Sequence, residues 1–272
     1  MSGGRIKITI LGCGSSGGVP RAGGEWGACD PKDPKNRRRR CSILVQQDGA
    51  DASTDVLVDT APDLREQLLD TGVRRLDAVL FTHDHADQSH GIDDLRGYTF
   101  LMRRLIEAYF DEPTADTLTA RFGYCFSTPA GSHYPPILKP NLIIRPFRSF
   151  AIEGPGGALP VLPFDQEHGQ TRSLGFRFGP IAYTSDCNGL SEESFRALEG
   201  VECWIVDALR YTPHPSHAHL DMTLGWIARV KPKRAILTNL HIDMDYQTLK
   251  AALPPGVEPA YDGMVVEAVI PG

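Results

Sequence analysis

No stretch of the 272-residue chain approaches the roughly 20 consecutive apolar residues that a membrane-spanning helix needs. The opening residues, MSGGRIKITI, hold no apolar run of signal-peptide length. Cysteine is scarce: Cys13, Cys29, Cys41, Cys125, Cys187 and Cys203 are scattered and form no CxxC pair. A disulfide framework is therefore not expected, and a cytoplasmic protein with reduced thiols is. Positive charge is short as well. With 28 Lys and Arg against 34 Asp and Glu, the net charge of −6 argues against a broad basic face for nucleic acid. The one basic run, Arg37 to Arg40, reads as a solvated loop. Repeats and low-complexity linkers are absent, and the 41% hydrophobic and 23% charged fractions are ordinary for a globular chain, so residues 1–272 read as one domain.

Against that plain background one stretch stands out, residues 76–96, LDAVLFTHDHADQSHGIDDLR. Leu76 to Phe81 reads as a buried strand, and His83, Asp84, His85 and Asp87 follow it at once. A solvated turn does not need imidazoles at i and i+2. Two neutral nitrogen ligands and a carboxylate around one small cation do.

The rest of the chain alternates strands with helices. RIKITIL (5–11) reads as a first strand, followed by GCGSSGGVP. Gly12, Gly14 and Gly17 match G-x-G-x-x-G, but the dinucleotide reading requires a helix to open inside the motif. Gly18, Val19, Pro20 and RAGGEWGACDPKDPKN cannot make one, so only a glycine loop approaching a phosphate stays open, with Ser15 and Ser16 as candidate substrate contacts. Strands are expected at 41–46, 55–59, 142–147, 158–164, 174–186, 203–210, 234–240 and 263–270, and IEAYF (106–110) is a further candidate. Helices are expected at 62–71, from Ile92 onward, at 114–123, from a Ser191 cap, at 220–230 and at 246–253. The long Pro-rich connection within 98–140 reads as cover for a site or a partner surface. This order suits layered α/β architecture with helices outside mixed sheets.

His83, His85, His168 (in FDQEHG) and His241 (in TNLH) all end a strand or follow one closely, and Asp186 (in YTSD) is placed alike. Strand ends of this kind converge on one edge of a sheet sandwich. On these residues the chain resembles the metallo-β-lactamase superfamily: HxHxD stands at His83, His85 and Asp87, and the later ligands match His168, Asp186 and His241. The match is nearest to the phosphodiesterase branch that includes ribonuclease Z and the cyclic phosphodiesterase of phosphonate breakdown, through LGCGSSGGVP, RRRRCSILV and the segment from His219 to TNLH. The resemblance implies a four-layer αββα sandwich with one or two divalent ions, Zn2+ or Mn2+. His83, His85 and His168 would hold the first, Asp186 would bridge, and Asp87 and His241 would hold the second. A metal-bound hydroxide would attack a small phosphodiester, such as a cyclic nucleotide or cyclic sugar phosphate. His219 would bind the phosphate or protonate the leaving oxygen, and Asp59 would orient a ligand imidazole from behind.

Two departures bear on that picture. The last His of the family's HxHxDH falls at Gln88, a poorer ligand, which puts the second ion in question, and His90 lies too far round the turn to replace it. The structural zinc of the phosphonate-pathway relative is not expected, since only Cys29 survives there and Met244 replaces a late histidine. Three other functions stay open: hydrolysis of a carboxylic ester, thioester or lactam; processing of tRNA ends, disfavoured because residues 98–140 mix Arg103, Arg104, Arg121 and Lys139 with Glu107, Asp111, Glu112 and Asp116; and nucleotide or metabolite binding at a decayed site. Self-association as a homodimer is left open.

Overall fold

Period-two patterning builds two sheets around a shared core. In the computed structural model, which describes residues 4–141 and 144–270, β1 (Arg5–Gly12) buries Ile6, Ile8 and Ile10 and turns Arg5, Lys7 and Thr9 the other way. It pairs antiparallel with β2 (Ser42–Asp48), and β2 with β3 (Ser53–Val58). Helix α1 (Leu64–Thr71) leads to β4 (Ala78–Leu80), followed by the single turn α2 (Ala86–Ser89), α3 (Arg96–Met102), β5 (Ile106–Tyr109), α4 (Glu112–Phe126) and β6 (Leu138–Asn141). Strands β3 to β6 are parallel. In the second half β7 (Phe150–Ile152), β8 (Leu159–His168), β9 (Thr171–Phe178) and β10 (Ile181–Thr184) form an antiparallel meander. Then α5 (Glu192–Ala197), β11 (Cys203–Asp207), α6 (Leu220–Val230), β12 (Arg234–Thr238), α7 (Tyr246–Ala252) and β13 (Val257–Pro259) extend that sheet in parallel, and β14 (Val265–Val269) returns to pair with β1. The sheet orders are β14-β1-β2-β3-β4-β5-β6 and β13-β12-β11-β10-β9-β8-β7.

Alternation along each strand divides the apolar side chains between layers. In β3, Val56 and Val58 enter the core between the sheets while Leu57 faces the helices outside. In β11, Cys203 and Ile205 face in while Trp204 and Val206 pack beneath the helices on the other side. Both faces of both sheets are covered, which gives the αββα sandwich. No described helix is long and apolar enough to cross a membrane.

Several expectations change in detail. The run 174–186 is two strands, because Gly179, at φ +56, turns the chain before Pro180. Of the strand expected at 142–147, residues 142–143 lie outside the described residues and 144–147 are irregular. Helix α4 starts earlier than residue 114, since the Asp111 side chain accepts from Thr114 N–H and caps it. Of the basic run only Arg37 is exposed, and the other three arginines are engaged by the protein. Arg38 is 2% exposed and donates to the Met244 carbonyl and the Asn36 side chain, Arg39 pairs with Asp70 and Asp262, and Arg40 pairs with Asp63.

The parallel strands β3, β4, β10, β11 and β12 send their C-terminal ends to one edge, and β1 and β8 run the same way within their sheets. Backbone bonds join the sheets there: Leu174 N–H to Thr82 C=O (2.9 Å), and Leu240 N–H to Cys13 C=O (2.8 Å). The glycine loop lies on this edge for a packing reason. A Cβ on Gly12 would stand 2.0 Å from the Arg40 carbonyl oxygen, and one on Gly14 would meet Arg38 Cβ at 3.0 Å. Gly12→Ala is therefore expected to destabilise the protein by at least about 2 kcal/mol, read as a lower thermal or urea midpoint. An unchanged midpoint would refute this close approach.

Candidate metal centre and active site

His83 is 2% exposed and follows β4 by way of Thr82. Its Nδ1 lies 3.0 Å from Thr82 Oγ1, which lies 2.9 Å from Asp59 Oδ2, while Asp59 Oδ1 accepts from Thr82 N–H. Thr82 donates its only hydroxyl proton to Asp59 Oδ2 and so accepts from Nδ1–H of His83. The lone pair of His83 is then on Nε2, which is buried and has no hydrogen-bond partner. Burial above all lowers the His83 pKa to about 3, so the ring is neutral. Asp59 thus acts on His83 through Thr82, and burial pushes its own carboxyl well up against the two Thr82 hydrogen bonds.

His168, at the end of β8, is fixed in the same sense. Its Nδ1 donates to the Ser216 carbonyl at 2.7 Å, so its lone pair is on Nε2, 3.2 Å from Nδ1 of the more exposed His85. His83, His85 and His168 place one nitrogen each within 4.8 Å of one another. Asp186, 2% exposed, brings Oδ1 to 3.9 Å from His168 Nε2. Burial would raise the Asp186 pKa, but His217, His83, His168 and the Ser185 hydroxyl outweigh it and hold the carboxyl below its usual range. Three imidazoles, one with an orphaned buried nitrogen, and a carboxylate held below its usual pKa range fit a divalent cation.

Asp87 lies beside this group. The Gln88 amide Nε2 is 3.0 Å from Asp186 Oδ2 and 3.5 Å from Asp87 Oδ2. Burial and then the Asp186 charge raise Asp87 to about 6. The remaining sequence candidates fall elsewhere. His241 Nε2 accepts from Arg21 at 2.7 Å and its Nδ1 meets Asp243 Oδ2 at 2.9 Å, so its ring is not one of the gathered donors. His219 caps α6 through its backbone, and its ring is not gathered either. Ser15 and Ser16 line a pocket of about 340 Å³ together with Arg21, His214, His217 and His241.

His217, not His219, joins the cluster. Its Nδ1 is 3.0 Å from Asp207 Oδ2 and its Nε2 is 3.9 Å from Asp186 Oδ1. Burial would lower its pKa, but Asp207, Asp186 and Asp87 outweigh burial and raise it to about 9. Sequence reasoning missed this residue because HPSHAH offers three histidines in one irregular loop. The available signal was Asp207, which ends CWIVD as Asp59 ends DVLVD. It also missed Asn239, at φ +62 past the end of β12, and Arg21.

A model of the β-lactamase superfamily domain matches residues 54–242. Together with the sandwich and its histidine-lined edge, that match shows that the chain belongs to the β-lactamase superfamily. A crystal structure of a diphosphatase from the PhnP family superposes with a TM-score of 0.87 at 32% identity, covering 98% of each chain. The short form of human tRNase Z shares the fold, at a TM-score of 0.65 and 19% identity over 97% of this chain and 99% of that one. A protein of Porphyromonas gingivalis named octanoyltransferase is 32% identical over 270 residues. The match covers 97% of this chain, which spans only about half (52%) of that relative.

The raised His217 pKa has a consequence for the metal-free protein. A folded pKa near 9 against an ordinary 6.5 stabilises the fold fully below about pH 6.5, and that stability is lost as pH rises towards 9. The size is on the order of 3 kcal/mol. In chelator, the urea midpoint should fall across that window, and His217→Gln should flatten the fall. An unchanged slope in the variant would assign the titration to another group.

Proposed function

We propose that the protein is a zinc-dependent phosphodiesterase acting on a small phosphodiester in the cytoplasm. Three imidazoles and a carboxylate favour zinc over manganese, which prefers oxygen ligands. All six cysteines are buried and free, in keeping with a reducing compartment. The observation that carries the reading is the Asp207–His217 pair, whose Nε2 faces Asp186 and the polar pocket.

His83, His85, His168 and Asp186 would hold the cation. It would supply Lewis-acid charge to a phosphoryl oxygen and a water acidic enough to ionise near neutral pH. His217 holds a proton at Nε2 and can give it to the departing oxygen, while Asp207 keeps Nδ1–H in place and stabilises the imidazolium. Arg21 lies across the pocket, oriented by His241 and Glu25, and offers free N–H groups to the non-bridging oxygens of a bound phosphate. Ser15 and Ser16 supply smaller donors on the same wall.

A second reading, hydrolysis of a carboxylic ester or thioester, has the octanoyltransferase name of the longer relative in its favour. The pocket weighs against it, since Leu209 is the one aliphatic side chain larger than glycine among Ser15, Ser16, Arg21, Arg210, His214, His217 and His241. An eight-carbon acyl chain needs an apolar groove.

The zinc-loaded protein should hydrolyse bis(p-nitrophenyl) phosphate and leave an octanoyl thioester largely intact. Thioester turnover without diester turnover would overturn the proposal. His217→Gln should lower kcat by about 10²–10⁴-fold with metal content unchanged. Arg21→Ala should act mainly on KM, raising it by about 10-fold or more, and an effect confined to kcat would remove Arg21 from substrate binding.

A further inference from the structure

The family resemblance carries two cations, and the donors for the second do not come together in this chain. We propose that the protein holds a single divalent cation, on His83, His85, His168 and Asp186, and that the Gln88 side chain takes the place of the second. This rests on the cation site described above and is independent of the substrate.

Four observations converge on it. First, the carboxylates of Asp87 and Asp186 are already joined by a protein group, since Gln88 Nε2 lies 3.0 Å from one and 3.5 Å from the other. Gln88 is fully buried, and Asp186 Oδ2 also accepts from the Ser185 hydroxyl. Asp186 Oδ2 is therefore already bonded twice within the protein. Second, the strand end that should supply the last imidazole carries an amide. Asp59, Asp186 and Asn239 are buried residues with φ of 63°, 53° and 62°, just past the ends of β3, β10 and β12. Asn239 thus occupies the place on β12 that Asp186 occupies on β10. His241 lies two residues further on, with Arg21 and Asp243 on its two nitrogens.

Third, among the described residues only two groups of three donors converge within 4.8 Å: His83, His85 and His168, and His168, Asp186 and His217. Neither contains Asp87 or His241. Fourth, both groups depend on His168, whose Nδ1 is committed to the Ser216 carbonyl. One lone pair remains, on Nε2, and one lone pair serves one cation. The two groups therefore compete for a single ion.

The test counts metal rather than turnover. Protein loaded with excess Zn2+ or Mn2+ and then desalted should retain one equivalent per chain by elemental analysis. The Mn2+ form should give an uncoupled six-line electron paramagnetic resonance spectrum. Two retained equivalents, or an exchange-coupled Mn2+ pair, would overturn the proposal. His85→Ala should reduce retained metal well below one equivalent, and a full equivalent in that variant would place the ion elsewhere. Gln88→His alone should still hold one equivalent, because β12 continues to offer an amide. The double variant Gln88→His/Asn239→His should bind a second. A folded double variant that stays at one equivalent would show that these two residues are not what excludes the ion. Should the double variant fail to fold, the unmodified protein's stoichiometry and spectrum decide the matter on their own.

Discussion

A carboxylate shut away from water must be met by donors or cations, and Asp186 imposes that demand on the whole edge of the sandwich. Its two oxygens are bonded or approached by Ser185, Gln88, His168 and His217. Each of those groups is fixed in turn by something behind it: His168 by the Ser216 carbonyl, His217 by Asp207, Gln88 by its position in the buried turn after β4. In a low-dielectric site a group left unpartnered is costly, so the supporting residues are as constrained as the ones that face the cation.

The same edge shows why the fold can hold such a demand. Among the described residues, seven strands in each sheet, packed face to face with helices on the outer side of each, make a rigid frame whose parallel strand ends cannot drift independently. At three of those ends the chain enters the left-handed region with Asp59, Asp186 and Asn239, residue types that tolerate a positive φ better than most. The turn lets the side chain just past the strand's end swing across the edge. Asp59 does so to reach Thr82 and hence His83, and Asp186 to reach the imidazole cluster.

Much of this was legible in the sequence, and the part that was not has a common physical cause. His83, His85, His168 and Asp186 sit at or just after the ends of strands whose apolar patterns are unambiguous, so their convergence follows from the layered fold. His217 and Asn239, each two residues before His219 and His241, are the residues that lie on the edge. Both differences fall in stretches where strand geometry has ended and a loop or left-handed turn sets the direction of the side chain. Periodicity carries no information there. The reading of Arg37 to Arg40 failed differently. Like charges in a row look solvated until their partners are known, and Asp63, Asp70 and Asp262 are distant in sequence.

Those arginines connect the glycine loop to the chemistry. Arg38 to Arg40 press their backbone against Gly12 and Gly14, so those glycines are explained by packing and not by an approaching phosphate. The next residues, Ser15 to Gly17, are thereby held at the pocket wall, and the Arg21 side chain lies over Gly17, where a Cβ would meet its Cγ at 3.3 Å. Arg21 reaches His241 from there. The histidine that the family resemblance gives to a metal here holds a guanidinium. On the single-cation proposal, a neutral amide would stand inside where the resemblance puts a second dication, and the arginine at the rim would carry positive charge to the substrate.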